Sequence, residues 1–398
     1  MERPAKDIAI HSVLLCSWGD ALGGGGTCAH ELIVRWARTY LCVNYFGHTT
    51  SFKECETNSN LQVVNLFENS PKVTSKVGFL LLYCMVMLRS LRLIKRFAHE
   101  RNVIVTHSDA WPDTLFGFLL KLRNRNAYWI AINHMILPSP WKGYRYAYTN
   151  KIRVPSLIDI YGWFNQRLFF LLQKKADLLV SINENDKKYL LTKNRNVLIV
   201  RYGREYTGAA DLSGKNKIYD ICFLGRFYEQ KGIDEIPDIL KNLRRIYDKP
   251  LSIVFIGSKN AYSHRLERKL GAMNLGYDIS FVGPKYGREK YDLLCKSRIL
   301  ILPSYFESFA IVYLDAISVG TPVVEYDLPC FVDHKYGVVK APFKDNAAFA
   351  EGLKKLLVDD VCHSKLSLEG YQYSQEFSWD ETARIFERYF LEAFRPAK

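Results

Sequence analysis

Apolar positions along the chain fall into short β-branched or aliphatic runs, separated from end to end by longer amphipathic stretches. In the first half, the runs at residues 8–16, 61–66, 103–107, 127–133, 178–182 and 197–200 read as strands. In the second half the corresponding runs are 219–224, 251–256, 279–282, 299–302 and 322–324. Strands alternating with helical patterns predict parallel sheets covered on both faces. The two sets flank "GREYTGAADLSGKNK" at 203–217, a polar, Gly-containing stretch without periodicity that reads as a linker. The pattern therefore predicts two doubly wound α/β domains, 1–205 and 206–376. Open parallel sheets bind ligands beyond the carboxyl ends of their strands. Two such domains facing each other would enclose a cleft, so the functional candidates are residues just after strands.

Composition sets the outer limits. With 398 residues, 48% hydrophobic and 24% charged, the chain is long enough for two cores and too apolar for disorder. Its longest apolar run, "VGFLLLYCMVML" at 77–88, is too short to span a bilayer. The N-terminal "IAIHSVLLCSW" reads as a first buried strand rather than a signal peptide. Nine cysteines without a C-x-x-C pair read as reduced core thiols, which predicts a cytoplasmic protein without disulfides or zinc. The net charge of +14 calls for a partner of opposite sign: nucleic acid, an anionic membrane surface or a phosphorylated small molecule. No nucleic-acid-binding motif occurs, so none is expected as a partner.

Three stretches and two histidines carry chemistry. "PSYFESFAIVYLDAISVGTPVVEYD" at 303–327 sets Glu307 and Asp315 in an apolar neighbourhood just after a strand. A helix starting near Ser308 would present free N–H groups and its positive end to an anion. Asp315 would stand roughly 12 Å further along at about 1.5 Å per residue, enough to reach a sugar and a ribose on either side of a diphosphate. The alternative is a capping Glu307 and a solvent-facing Asp315, and Leu314, Ala316 and Ile317 speak against the latter. "FLGRFYEQKG" at 223–232 supplies Gly225 for a tight turn and then Arg226 and Lys231, a fork and a point charge for phosphate oxygens. "GGGGT" at 23–27, with Gly24 and Gly25 at its centre, follows the first strand but does not fit G-x-G-x-x-G, so a surface loop remains its alternative. His107 and His134 each follow a strand, where a role toward the sugar or acceptor stands beside a purely structural one.

Taken together, "GRFYEQKG", "PSYFESFAIVYLDAISVGTPVV" and "FSWDETARIFERYF" resemble the retaining GT-B glycosyltransferases of family 4 over nearly the whole chain. The resemblance implies a GT-B fold, a nucleotide-sugar donor held by the second domain, and a last helix at 377–398 returning to the first, acceptor-binding domain. It places Arg226 and Lys231 on the diphosphate, Glu307 on the donor sugar and Asp315 on the ribose. Ser308, Phe309 and Ala310 would bring backbone amides to sugar and phosphate, and the Gly24–Gly25 stretch would cover the phosphates. His134 would lie near the donor sugar. The family usually has Gly at the position of Ala310 and Glu at that of Asp315.

The resemblance gives a retaining hexosyltransferase using a UDP- or GDP-sugar. No D-x-D motif occurs, so no metal or other cofactor is expected, and Arg226, Lys231 and the helix end would stabilise the leaving group. Basic residues cluster between Lys72 and Arg101, and residues 141–175 interleave Trp, Tyr and Phe with Lys and Arg. That mixture suits a headgroup layer. It predicts peripheral contact with the cytoplasmic face of an anionic membrane and a lipid-linked or glycan acceptor. The rivals are a hydrolase or epimerase of nucleotide sugars, a silent nucleotide-sugar-binding or membrane-scaffold protein, and a basic nucleic-acid binder.

Overall fold

The computed structural model describes residues 8–15, 24–40, 42–47, 60–67, 76–93, 101–206, 208 and 217–394. Contacts divide the chain into two compact units. One comprises Met1–Leu137, Ser156–Gly203 and Trp379–Lys398; the other comprises Pro138–Pro155 and Arg204–Ser378. Pro138–Pro155, which a single cut near residue 205 leaves in the first domain, thus packs with the second unit. Of the expected linker, residues 207 and 209–216 lie outside the described residues.

In chain order the first unit holds β1 (Ala9–Val13), α1 (Gly24–Thr39), β2 (Cys42–Gly47), β3 (Leu61–Asn65), α2 (Lys76–Leu93) and β4 (Asn102–Thr106). It continues with α3 (Trp111–Arg123), β5 (Tyr128–Asn133), α4 (Leu157–Gln173), β6 (Leu178–Ser181), α5 (Glu184–Leu190) and β7 (Val197–Ile199). All seven strands are parallel, in the order β3-β2-β1-β4-β5-β6-β7. Every residue of β1 and β4 is buried, so both faces of these strands are covered, and polar His11 and Asn102 pair with each other at 2.8 Å.

The second unit holds β8 (Tyr219–Leu224), α6 (Ile236–Ile246), β9 (Ser252–Ile256), α7 (Ala261–Ala272), β10 (Asp278–Phe281) and α8 (Gly287–Cys295). After these come β11 (Ser297–Leu302), α9 (Ile311–Ser318), β12 (Val323–Tyr326), β13 (Val338–Ala341), α10 (Asn346–Val358) and α11 (Asp360–Ser374). Its six parallel strands run β10-β9-β8-β11-β12-β13. The last helix, α12 (Trp379–Ala393), belongs to the first unit. There Trp36 meets the edges of Phe386 and Phe390 at centroid distances of 5.7 and 5.3 Å, which joins α12 to α1.

Each sheet changes direction at one point, between β1 and β4 in the first and between β8 and β11 in the second. At such a switch point the two loops leaving the strand ends diverge and open a crevice. Every candidate in the second unit but Asp315 falls on the loops after β8 and β11. His107 follows β4, Gly24 and Gly25 open the helix after β1, and His134 follows β5. Strands β2 and β13 are two that the apolar runs do not announce. β2 carries polar Asn44 at its centre, and β13 is a four-residue edge strand that is only partly covered.

Candidate functional site

The loop after β8 is built around glycine. Gly225 donates its N–H to Ile256 O at 3.0 Å, and its carbonyl lies so close to Gly257 that a Cβ there would fall 2.1 Å from it. Phe227 turns inward onto Phe223, Phe255 and Phe281. Arg226, between them, is exposed, with its guanidinium 5.7 Å from the Tyr228 ring centroid. A 3-10 turn over Glu229–Lys231 ends at Gly232, in the left-handed region at φ 63°. A Cβ on Gly232 would overlap Pro303 O at 1.6 Å, so this loop lies backbone to backbone against the loop after β11. Two hydrogen bonds fasten the pair: Tyr305 N–H to Gln230 O, and Gln230 Nε2 to Phe306 O, each 2.9 Å.

That seam brings Lys231 and Glu307 together. Lys231 Nζ lies 2.5 Å from Glu307 Oε1, which also accepts from Ser304 Oγ at 2.8 Å. Glu307 is only 7% exposed, so its charge is held by an ammonium and a hydroxyl rather than by bulk water. Phe306 beside it is flanked by Tyr144 and Tyr148 of the 138–155 segment, with Tyr148 stacked at 5.5 Å. Ser308 Oγ is buried without a hydrogen-bond partner among the described residues. Phe309 is buried, and Ala310 takes φ 54°, a left-handed conformation that costs an L-residue about 1–2 kcal/mol. Glycine would sit there without that cost. This turn moves the helix start from the expected Ser308 to Ile311, because a left-handed residue cannot extend a right-handed helix.

Asp315 on α9 is 4% exposed, which removes the solvent-facing alternative. α9 is buried on nearly every side, so the carboxylate needs partners within the protein. Tyr291 donates to Oδ1 at 2.6 Å and Lys290 Nζ to Oδ2 at 2.9 Å. Glu205 Oε2 accepts from Lys290 Nζ at 3.2 Å and lies at the same distance from the Tyr291 hydroxyl oxygen. Lys290 and Tyr291 lie in "GREKYDLLC", which as sequence reads as an ordinary surface helix.

In the first unit, Gly24 and Gly25 form the opening turn of α1 rather than a loop; Gly23 lies outside the described residues. Glycine favours no helix. The stripe Cys28, Ala29, Leu32, Ile33, Trp36 and Ala37 buried beneath it supplies what holds α1. A Cβ on Gly25 would come within 2.9 Å of the His134 ring, so the glycine lets this helix end rest on the imidazole. His134 Nε2 donates to His107 O and Nδ1 accepts from the Tyr202 hydroxyl, both at 2.6 Å. A carbonyl can only accept, which fixes the proton on Nε2. His134 and His107 are therefore joined, one ring to the other's backbone. The His107 ring is fully buried, with neither nitrogen bonded among the described residues.

Burial pulls the His107 imidazole down to about 3 and lowers that of His134. An unfolded histidine protonates near pH ~6.5. Between those values the unfolded chain binds more protons, so stability falls as pH drops, by up to ~1.4 kcal/mol per pH unit for each such group. Asp186, pushed up to about 6 by burial, and Asp109, also raised by burial, work in the opposite direction. The readout is therefore a difference. From about pH 6.5 to 5 wild type should lose stability relative to His107→Leu in urea melts, whereas a constant gap would contradict the assignment of a neutral, buried His107.

Residues 210–373 match the family described as Glycosyl transferases group 1. Over 184 residues the chain is 30% identical to a D-inositol 3-phosphate glycosyltransferase of Corynebacterium jeikeium, an alignment covering 43% of each. The chain thus spans less than half the length of the curated relatives it matches first. Among solved structures, sucrose-phosphate synthase from Thermosynechococcus elongatus superposes with a TM-score of 0.76 at 16% identity, covering 97% of this chain and 99% of that one. Anabaena HepE in complex with UDP-glucose gives 0.71 at 13% identity, covering 96% and 99%. At such identities the likeness concerns the fold. The second unit thus matches the glycosyl transferases group 1 family, and the two parallel α/β sheets are of the GT-B kind.

Proposed function

We propose that this protein is a retaining glycosyltransferase that moves a hexose from a UDP- or GDP-sugar to an acceptor hydroxyl, with the donor on the loops after β8 and β11. The observation that carries the reading is the Lys231–Glu307 pair, held at the seam of two loops at the switch point of the second sheet. A buried ion pair is poor value for stability alone, since desolvation offsets much of its attraction. A donor gives it a purpose. Its diphosphate attracts Lys231 and Arg226, and its sugar hydroxyls offer donors to the freed Glu307 carboxylate.

In this reading the bond from the anomeric carbon to the diphosphate oxygen breaks while the acceptor oxygen bonds the same carbon on the same face. The departing phosphate oxygen takes the acceptor's proton. Arg226, Lys231 and the amides near Ala310 stabilise the charge that develops there, without a divalent ion. Glu307 orients the sugar, and Asp315, with Lys290 and Tyr291 around it, serves the ribose. The test is a titration of UDP and GDP into wild type and Lys231→Ala, with and without EDTA. Lys231→Ala should weaken the preferred nucleotide about tenfold or more, and EDTA should change nothing. Unchanged affinity in the variant would remove Lys231 from the site.

A lipid-linked or glycan acceptor at an anionic membrane completes the proposal. Among the described residues no helix is long and apolar enough to cross a membrane. On α4, however, Leu157, Tyr161, Phe164, Leu168 and Leu171 are exposed at alternating spacings of four and three, one continuous apolar stripe, and exposed Lys174 and Lys175 follow it. Of the basic cluster, Lys72, Lys95 and Arg96 lie outside the described residues. Binding to phosphatidylglycerol vesicles but not to phosphatidylcholine vesicles, lost in Phe164→Glu/Leu168→Glu, is the expected result. Equal binding by that double variant would place the contact elsewhere.

A further inference from the structure

Behind the left-handed turn at Ala310 lies a buried polar device that the reaction described above does not use. His334 is 2% exposed, and its Nε2 donates to Phe309 O at 2.8 Å. Its Nδ1 lies 2.7 Å from Glu325 Oε2, on a carboxyl fully buried in β12. The ring stacks on Tyr313 at a centroid distance of 3.7 Å and on Phe331 at 4.0 Å, with planes within 16° and 14°. Two rings that close cannot share one face, so the imidazole is sandwiched between them. Every direction in which His334 could move is therefore occupied by a ring, a carboxyl or the backbone.

What this holds in place is one peptide. No peptide bond among the described residues is cis. In a planar trans peptide the N–H points opposite to the C=O. With the Phe309 carbonyl turned onto His334, the Ala310 N–H is turned away from it, on the side of the loop opposite the His334–Glu325 pair. Ala310 pays for this with a conformation that favours glycine. An L-residue persists there only where its surroundings over-determine it. Glu325 Oε1 is moreover buried without a partner among the described residues, a cost that a packing role alone does not explain.

We propose that His334 is a positioning residue: tethered by Glu325 and clamped by Tyr313 and Phe331, it fixes the Phe309–Ala310 peptide so that the Ala310 amide faces the departing diphosphate. The inference rests on the donor site proposed above. Its effect belongs to the transition state, because an amide aimed at developing charge matters most once the bond to the leaving group stretches. It should therefore show in kcat rather than in KM.

The experiment compares wild type, His334→Phe and His334→Gln by donor turnover, by nucleotide affinity and by melting temperature. Glutamine can still donate to the Phe309 carbonyl, whereas phenylalanine fills the sandwich and cannot. His334→Phe should lower kcat about 30- to 100-fold, with donor KM changed less than about threefold. His334→Gln should recover to within about fivefold of wild type. A folded His334→Phe with wild-type kcat overturns the proposal. So does a folded His334→Gln as impaired as expected for phenylalanine, and this second criterion holds even if the Phe variant does not fold. A wild-type protein that neither binds nor turns over any nucleotide sugar removes the donor site itself, whereas an active wild type beside an unaffected His334→Phe removes this inference alone.

Discussion

Glu307→Ala is expected to reduce sugar transfer by about three orders of magnitude while leaving a folded protein. The carboxylate sits where two loops meet, with the Lys231 ammonium 2.5 Å away as its counter-charge. Truncation removes the group that would orient the sugar. It also strips Lys231 of its counter-charge, but this ammonium is 14% exposed and can turn toward water. The stability cost should accordingly stay near 1–3 kcal/mol, below the ~3–5 kcal/mol of a fully buried broken pair. Glu307→Gln separates the two effects. Its amide oxygen can keep the Ser304 hydrogen bond, so it should melt close to wild type and still lose most transfer. Near-normal turnover in either variant would overturn the role of Glu307.

Gly232→Ala should be the most damaging single-methyl change in the second unit. Two penalties coincide there. The φ of 63° costs an L-residue about 1–2 kcal/mol, and the added Cβ would stand 1.6 Å from Pro303 O, so backbone must move. Moving it parts the seam that holds Gln230 to Tyr305 and Phe306 and Lys231 to Glu307. We expect more than about 3 kcal/mol of lost stability together with lost nucleotide binding. Gly276→Ala is the matched control. Its φ is 70°, but nothing lies within 4 Å of its added Cβ, so it should cost the backbone term alone. Equal losses in the two variants by urea denaturation would show that the contact with Pro303 carries no weight.

The sheets were largely legible in the sequence because fully buried parallel strands are written as near-continuous apolar runs. The exceptions are informative. β2 interrupts its run with Asn44, whose Nδ2 lies 3.3 Å from His11 Nδ1, and such a long-range satisfaction of a buried polar group leaves no local trace. In the second unit the Lys231, Glu307 and Ser308–Ala310 cluster was legible because each member follows a strand. The helix start was misplaced by the left-handed turn at Ala310, which local pattern assigns to glycine. Lys290, Tyr291, Glu325 and His334 went unnoticed for a different reason. Each lies in a stretch that reads as ordinary helix, strand or turn, and becomes distinctive only when folding sets it beside Asp315 or Phe309.

The most direct test of the central claim, a nucleotide-sugar donor site in the second unit, is a thermal-shift panel. It would present UDP, GDP and ADP with their common sugar conjugates to the folded protein, with and without EDTA. The account predicts a selective rise in melting temperature with one nucleotide and its sugar conjugate, unaffected by EDTA and lost in Lys231→Ala and Glu307→Ala. No shift with any member of the panel, in a protein shown to be folded, would contradict it.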